Sequence, residues 1–170
     1  MRRLARLPDV ASARYDRDFP HTLRVTIVPE RPVAVLRRGR ETWLVSRHAR
    51  VLRRVRPRTY GSLPRVWTSG SFALALGSPV GGRTGVMIAA LAHLRGTPLP
   101  SGVRGATYTR GEGLVFLLRS GVAVRLGDVS QLDLKLAVAR RIVPIAPAGT
   151  AFVDVSVPER PVSANSQVEG

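Results

Sequence analysis

The chain of 170 residues reads as an α+β protein: a strand-rich N-terminal segment followed by a mixed β-sheet with two helices. Three observations lead there. Between Val10 and Leu36 apolar and polar residues alternate with a period of two, the mark of a half-buried strand pair. Between Val103 and Leu126 three short apolar runs are separated by glycine-bearing turns. Two further stretches, residues 84–94 and 131–143, repeat apolar side chains at helical spacing.

Each element has its own warrant. Residues 1–7 form a helical scrap with Leu4 and Leu7 apolar, ended by Pro8-Asp9. Ala11, Ala13 and Tyr15 alternate with Ser12, Arg14 and Asp16, which predicts a strand. Leu23, Val25 and Ile27 alternate with Thr22, Arg24 and Thr26, which predicts its antiparallel partner. Residues 17–21 make the turn between them, because Pro20 fixes its own φ and biases Phe19 towards extended geometry. Phe19 is expected to pack beneath that turn. Pro29 and Pro32 bracket Glu30-Arg31 and close the unit, and residues 33–36 continue as a further strand. Arg38-Gly39-Arg40 turns the chain into a strand over 42–46 with Trp43 and Val45 on one face. Residues 67–85 are rich in Gly and Ser and read as a loop. The helix over 84–94 shows Met87, Leu91 and Leu94 on one side.

The second half is more regular. Strands are predicted over 103–109, 114–118 and 122–126, with tight turns at 110–113 and 119–121. Asp128 to Ser130 supply the cap of a helix over 131–143, whose Leu132, Leu136, Ala139 and Val143 share a face. Pro144, Pro147 and Gly149 break it. A last strand covers 150–157, and the polar tail 159–170 is expected to be disordered.

Several of these residues fall in a recognisable order. Leu7, Pro8, Val10, Arg17, Phe19, Pro20, Thr22, Leu23, Val25, Pro32, Val33 and Ala34 resemble the second half of the POTRA domain in the bacterial division protein family FtsQ, also called DivIB. Pro29 stands where that family has Glu. Further on, Ser46 replaces the family's Asp and Ala49 its Gly, so the turn there is expected to be built differently. Leu63, Pro64 and Val66 match a short motif that follows. Leu117, Gly121, Val124, Leu126, Gly127, Lys135, Asp154, Val155 and Ser156 resemble the family's β-domain pattern. The resemblance implies three parts: residues 1–36 as the C-terminal half of a POTRA domain, 37–158 as an FtsQ-type β-domain, and the tail. It also implies that the opening strand and helix of the POTRA unit, and an apolar span of about 20 residues, precede Met1.

Composition narrows the chemistry. Hydrophobic residues make up 44% of the chain, enough for a real core. No window approaches the roughly 18 apolar residues of a membrane span, and no signal peptide opens the sequence. Cysteine is absent, which excludes disulfides and cysteine-based metal or redox sites. The net charge of +16 suggests a polyanion partner. However, 26 Arg against the single Lys135 is a bias that GC-rich codons impose whatever the function. The arginines also lack the interleaved aromatics that stack on bases. They are unevenly spread, with 17 Arg and 5 acids in residues 1–65, and this basic half suits anionic lipid head groups.

One loop resembles nucleotide-binding chemistry. Gly77, Gly82, Arg83 and Thr84 approach the phosphate-loop pattern, with an apolar run before and a helix after. Arg83 stands where the compact charge of Lys is needed, and Pro79 removes a backbone donor. A small nucleotide-binding or basic nucleic-acid-binding domain is thus the alternative. His21, His48 and His93 are far apart and lack metal-ligand spacing. The sequence offers no catalytic, cofactor or metal residues and points to a protein that is not an enzyme.

The resemblance carries the functional expectation. It implies the extracytoplasmic region of a single-pass cell-membrane protein that scaffolds the bacterial divisome at the septum. Its partners would be FtsB and FtsL, bound by strand addition near the C-terminal end. Phe152, Val153, Val155, Val157, Arg160 and Val162 are the positions expected to carry that contact. A core strand explains the same valines.

Overall fold

The fold is known from a computed structural model that describes residues 7–18, 22–69 and 74–165. It is mixed α+β, with a small antiparallel sheet, a nine-stranded mixed sheet and two helices.

The small sheet is a ribbon of β1 (Val10–Asp18) and β2 (Thr22–Pro29). The register pairs Ala13 with Ile27, Tyr15 with Val25 and Arg17 with Leu23, so one face collects the apolar side chains. The alternation predicts half burial, but every residue of β2 is exposed, Leu23 at 56%. Two strands alone bury neither face, because burial needs a second layer. The corner with Phe19 lies outside the described residues, as does the helical scrap up to residue 6.

The large sheet has the order β11-β10-β9-β8-β7-β6-β3-β4-β5. It opens with β3 (Pro32–Arg38), which pairs antiparallel with β4 (Glu41–Ser46) and parallel with β6 (Arg65–Trp67). β5 (Val51–Arg54) flanks β4. The expected boundary at Leu36 therefore falls inside a strand, and the chain passes from one sheet to the other at Glu30-Arg31. The prolines explain why: Pro29 ends β2, and Pro32 starts β3 where a missing N–H is tolerated. β7 (Val103–Thr109), β8 (Gly113–Leu118) and β9 (Ala123–Gly127) form the expected meander.

Beyond it, β10 (Phe152–Asp154) lies parallel to β9, and β11 (Val162–Ala164) runs antiparallel to β10. The tail expected from Glu159 thus contributes a strand up to Ala164. A reversal makes this possible. Asp154 accepts the Ser156 N–H at 2.9 Å, and the Arg160 N–H donates to the Val157 carbonyl at 3.0 Å. Pro158 and Pro161 flank that turn, where their lack of a donor is harmless.

Helices α1 (Gly82–Ala92) and α2 (Leu132–Ile142) bury Met87, Ile88, Leu91, Leu136 and Ala139 in the core on one side of the sheet. Register explains the core. Leu36, Val66, Ala106, Phe116, Val124 and Val153 are successive cross-strand partners, so they present one apolar row to that core. On the other face a smaller cluster of Val35, Leu44 and Leu52 packs with Val55, Tyr60 and Leu63.

The turn from β4 to β5 is held by two of its own residues. Ala49 adopts φ 54, the left-handed conformation that glycine favours, and the Ser46 hydroxyl accepts the N–H groups of His48 and Arg50 at 3.3 and 3.4 Å. Ser46 and Ala49 therefore build a tight turn, at the strain of one left-handed alanine.

Candidate partner-docking edge

A sheet offers partners its two outer strands, whose backbone groups on one side are unpaired. The two edges here differ. At the start of β5 the chain covers its own edge. The Val51 N–H donates to the Ser78 carbonyl at 3.0 Å, the Gly77 N–H donates to the Val51 carbonyl at 2.7 Å, and Arg50 bridges Pro79. At β11 the sheet order simply ends, so among the described residues its outer side is open.

The six residues expected to carry the contact divide into two groups. Phe152, Val153 and Val155 are buried. Val153 and Val155 belong to the helix-side core. Phe152 faces the opposite side, with the Arg125 guanidinium 3.8 Å from its ring centre. Arg125 also holds Glu112 at 3.0 Å. Val157, Arg160 and Val162 are exposed, Val162 at 55%, opposite Asp154 in the register. The structure thus brings Val162 to the open edge and makes Val153 and Val155 its support.

The loop that resembles a phosphate-binding loop is tied into the fold. Three of its amides serve the fold: the Gly77 N–H donates to the Val51 carbonyl at 2.7 Å, the Ser78 N–H to Ala75 at 3.0 Å, and the Val80 N–H to Ala49 at 2.7 Å. No strand precedes the loop over residues 74–76. Arg83 lies over the Tyr108 ring at 5.7 Å, and the Thr84 hydroxyl donates to that of Thr68 at 3.0 Å. The same loop shields the β5 edge.

Two clusters were not read from the sequence. Asp128 does not cap α2, whose N-cap Gln131 is left-handed at φ 50 with no side-chain cap bond. Its carboxylate instead takes the Ser130 hydroxyl at 2.5 Å and the buried Lys135 ammonium at 2.7 Å. Lys135, and after it Ser130, hold that carboxyl down at about 2. Glu30 is also buried, its Oε1 2.9 Å from Nδ1 of His48, with Oε2 buried and without a hydrogen-bond partner among the described residues. A seven-residue spacing at a helix start could have signalled the first pair; nothing local signals the second. His93 bonds Asp133 at 2.9 Å, and His21 lies outside the described residues. Among the described residues no three His, Asp or Glu side chains gather as metal ligands.

No protein-family description matches the chain, and no curated protein matches it.

Proposed function

We propose that this chain is a scaffold without catalytic activity that docks a partner by adding the partner's strand to β11. More particularly, it serves as the extracytoplasmic part of an FtsQ/DivIB-type division protein, with FtsB and FtsL as partners at the cell membrane. The observation that carries the reading is the contrast of edges: the chain covers β5 at Val51 with its own loop, and among the described residues nothing pairs with the outer side of β11. Main-chain hydrogen bonds at such an edge supply affinity, and alternate side chains supply specificity. The finer identification rests on the ordered residues from Leu7 to Ala34 and from Leu117 to Ser156, with residues 1–36 read as the C-terminal half of a POTRA domain. No helix among the described residues is long and apolar enough to cross a membrane, so membrane attachment is a proposal from the resemblance alone. Against the nucleotide alternative stand the committed amides of Gly77, Ser78 and Val80.

Val162→Glu tests the reading. The side chain is exposed, so the fold should hold while affinity for FtsB falls at least tenfold in titration. Val155→Glu, buried completely, should unfold the protein under any reading, since an unpaired buried carboxylate costs several kcal/mol. Deleting residues from Glu159 onward is a poorer test, because it strips β11 and bares β10 as a new edge. Unchanged FtsB affinity in Val162→Glu would place the docking surface elsewhere.

A further inference from the structure

Codon bias explains why the basic residues are arginines, but not where the fold puts them. Register gathers six of them at one end of the sheet. The tip of the β3–β4 hairpin carries Arg37, Arg38 and Arg40, with Arg37 opposite Thr42 and Arg38 opposite Glu41. Arg54 lies opposite Trp43, next to Arg53. The Val55 N–H donates to the Thr42 carbonyl at 2.9 Å, which brings Arg56 to the same tip. Five of the six are exposed, and Arg38 is half-buried. Among the described residues Glu41 is the single carboxylate at this tip, and it is shared by Arg38 at 3.2 Å and Arg54 at 3.4 Å. Glu112, Asp128, Asp154 and Glu159 belong to the other half of the strand order, around β8 to β11.

We infer that this end of the sheet is a binding surface for anionic lipid head groups. Guanidinium forks match phosphate oxygens in pairs, and each basic side chain near an anionic bilayer adds to the attraction. Trp67, exposed at 48%, is the register partner of Arg37 and sets an indole beside the arginines, the arrangement suited to a membrane interface. Nucleic acid fits less well. Binding of single strands needs open aromatic faces for stacking, and two of the aromatics here are already covered. Arg54 lies 5.8 Å over Trp43, and Arg53 lies 5.9 Å over Tyr60 while donating to its hydroxyl at 2.6 Å. The inference stands apart from the docking edge, because β5 and β11 are opposite ends of the strand order.

The test is cosedimentation of the whole chain with phosphatidylcholine vesicles, with and without phosphatidylglycerol, at low and physiological salt. Binding should require phosphatidylglycerol and weaken as salt rises. The triple variant Arg37→Glu, Arg40→Glu, Arg56→Glu should bind on the order of a hundredfold more weakly. The control Arg95→Glu, Arg104→Glu, Arg141→Glu makes the same charge change at exposed positions elsewhere and should lose far less. If the patch triple fails to fold by circular dichroism, Arg40→Glu and Arg56→Glu singly should each still weaken binding several-fold. Equal binding to neutral vesicles, or equal losses in the two triples, overturns the inference. So does displacement from the vesicles by duplex DNA at matched phosphate concentration, which would make nucleic acid the partner.

Discussion

Lys135 is the chain's single lysine, and it is buried with its ammonium on the carbonyl and carboxylate of Asp128, at 3.1 and 2.7 Å. A buried ammonium is costly unless paired, so Asp128 is what makes the position tolerable. The pairing has a pH signature. Asp128 ionises near 2 in the folded chain and near 3.8 ordinarily. A carboxyl lowered by folding contributes stability above its unfolded value and loses it as the pH falls through the folded one. Asp128→Asn should therefore lower the melting temperature at neutral pH, and the gap to the parent should close between about pH 4 and pH 2. A gap that stays constant over that window would mean that the charge of Asp128 contributes nothing. At this scale the sequence was least legible. Asp128 looked like a helix cap because Asp is common there, while its partner lay seven residues on. Glu30 and His48 are 18 residues apart and meet only through the fold.

Elements were legible in proportion to how locally their backbone bonds close. The β7-β8-β9 meander was read within a residue or two, since its turns carry their own glycines and its strands pair with sequence neighbours. β6 and β11 span three residues each and borrow their partners from distant chain, so no periodicity could show them. Gly113 shows how strict the local rules are. It sits at φ 67 opposite Gly127, and a Cβ there would overlap the Gly127 carbonyl. Gly121 also has positive φ, at 98, but faces open space. Gly121→Ala should thus cost only backbone strain, about 1 kcal/mol. Gly113→Ala adds a backbone collision between paired strands, for about 3 kcal/mol in all. Chemical denaturation of the two variants measures the difference; equal losses would show that the β8–β9 bulge can open to admit a methyl group.

On the scale of the molecule the two sheets are unequal. The large one has a helix-covered core, and a chain of cross-strand partners ties six of its strands into one apolar row. The ribbon has an apolar face, Tyr15, Leu23, Val25 and Ile27, that is exposed throughout. Its base is closed by the Glu30 N–H, which donates to the Asp9 carbonyl at 2.8 Å, and is fastened to the large sheet where the buried Glu30 carboxylate holds His48 in the β4–β5 turn at 2.9 Å. The alternation that revealed β1 and β2 in the sequence is real, but alternation reports which face is apolar and not whether anything covers it. A two-stranded ribbon is marginal by itself, so its stability is local and low on the scale of the whole protein. Amides of residues 10–29 should therefore exchange faster than those of 103–127, by at least about a thousandfold if the sheet opens only globally. The uncovered face should also drive association as concentration rises. Leu23→Ser with Ile27→Ser should keep the chain monomeric in sedimentation without lowering the main unfolding transition. Equal protection of ribbon and meander would mean instead that the two sheets unfold as one unit. In that case the Glu30–His48 clasp, rather than any layer over the ribbon, would be what couples them, and Glu30→Gln should then separate the two transitions.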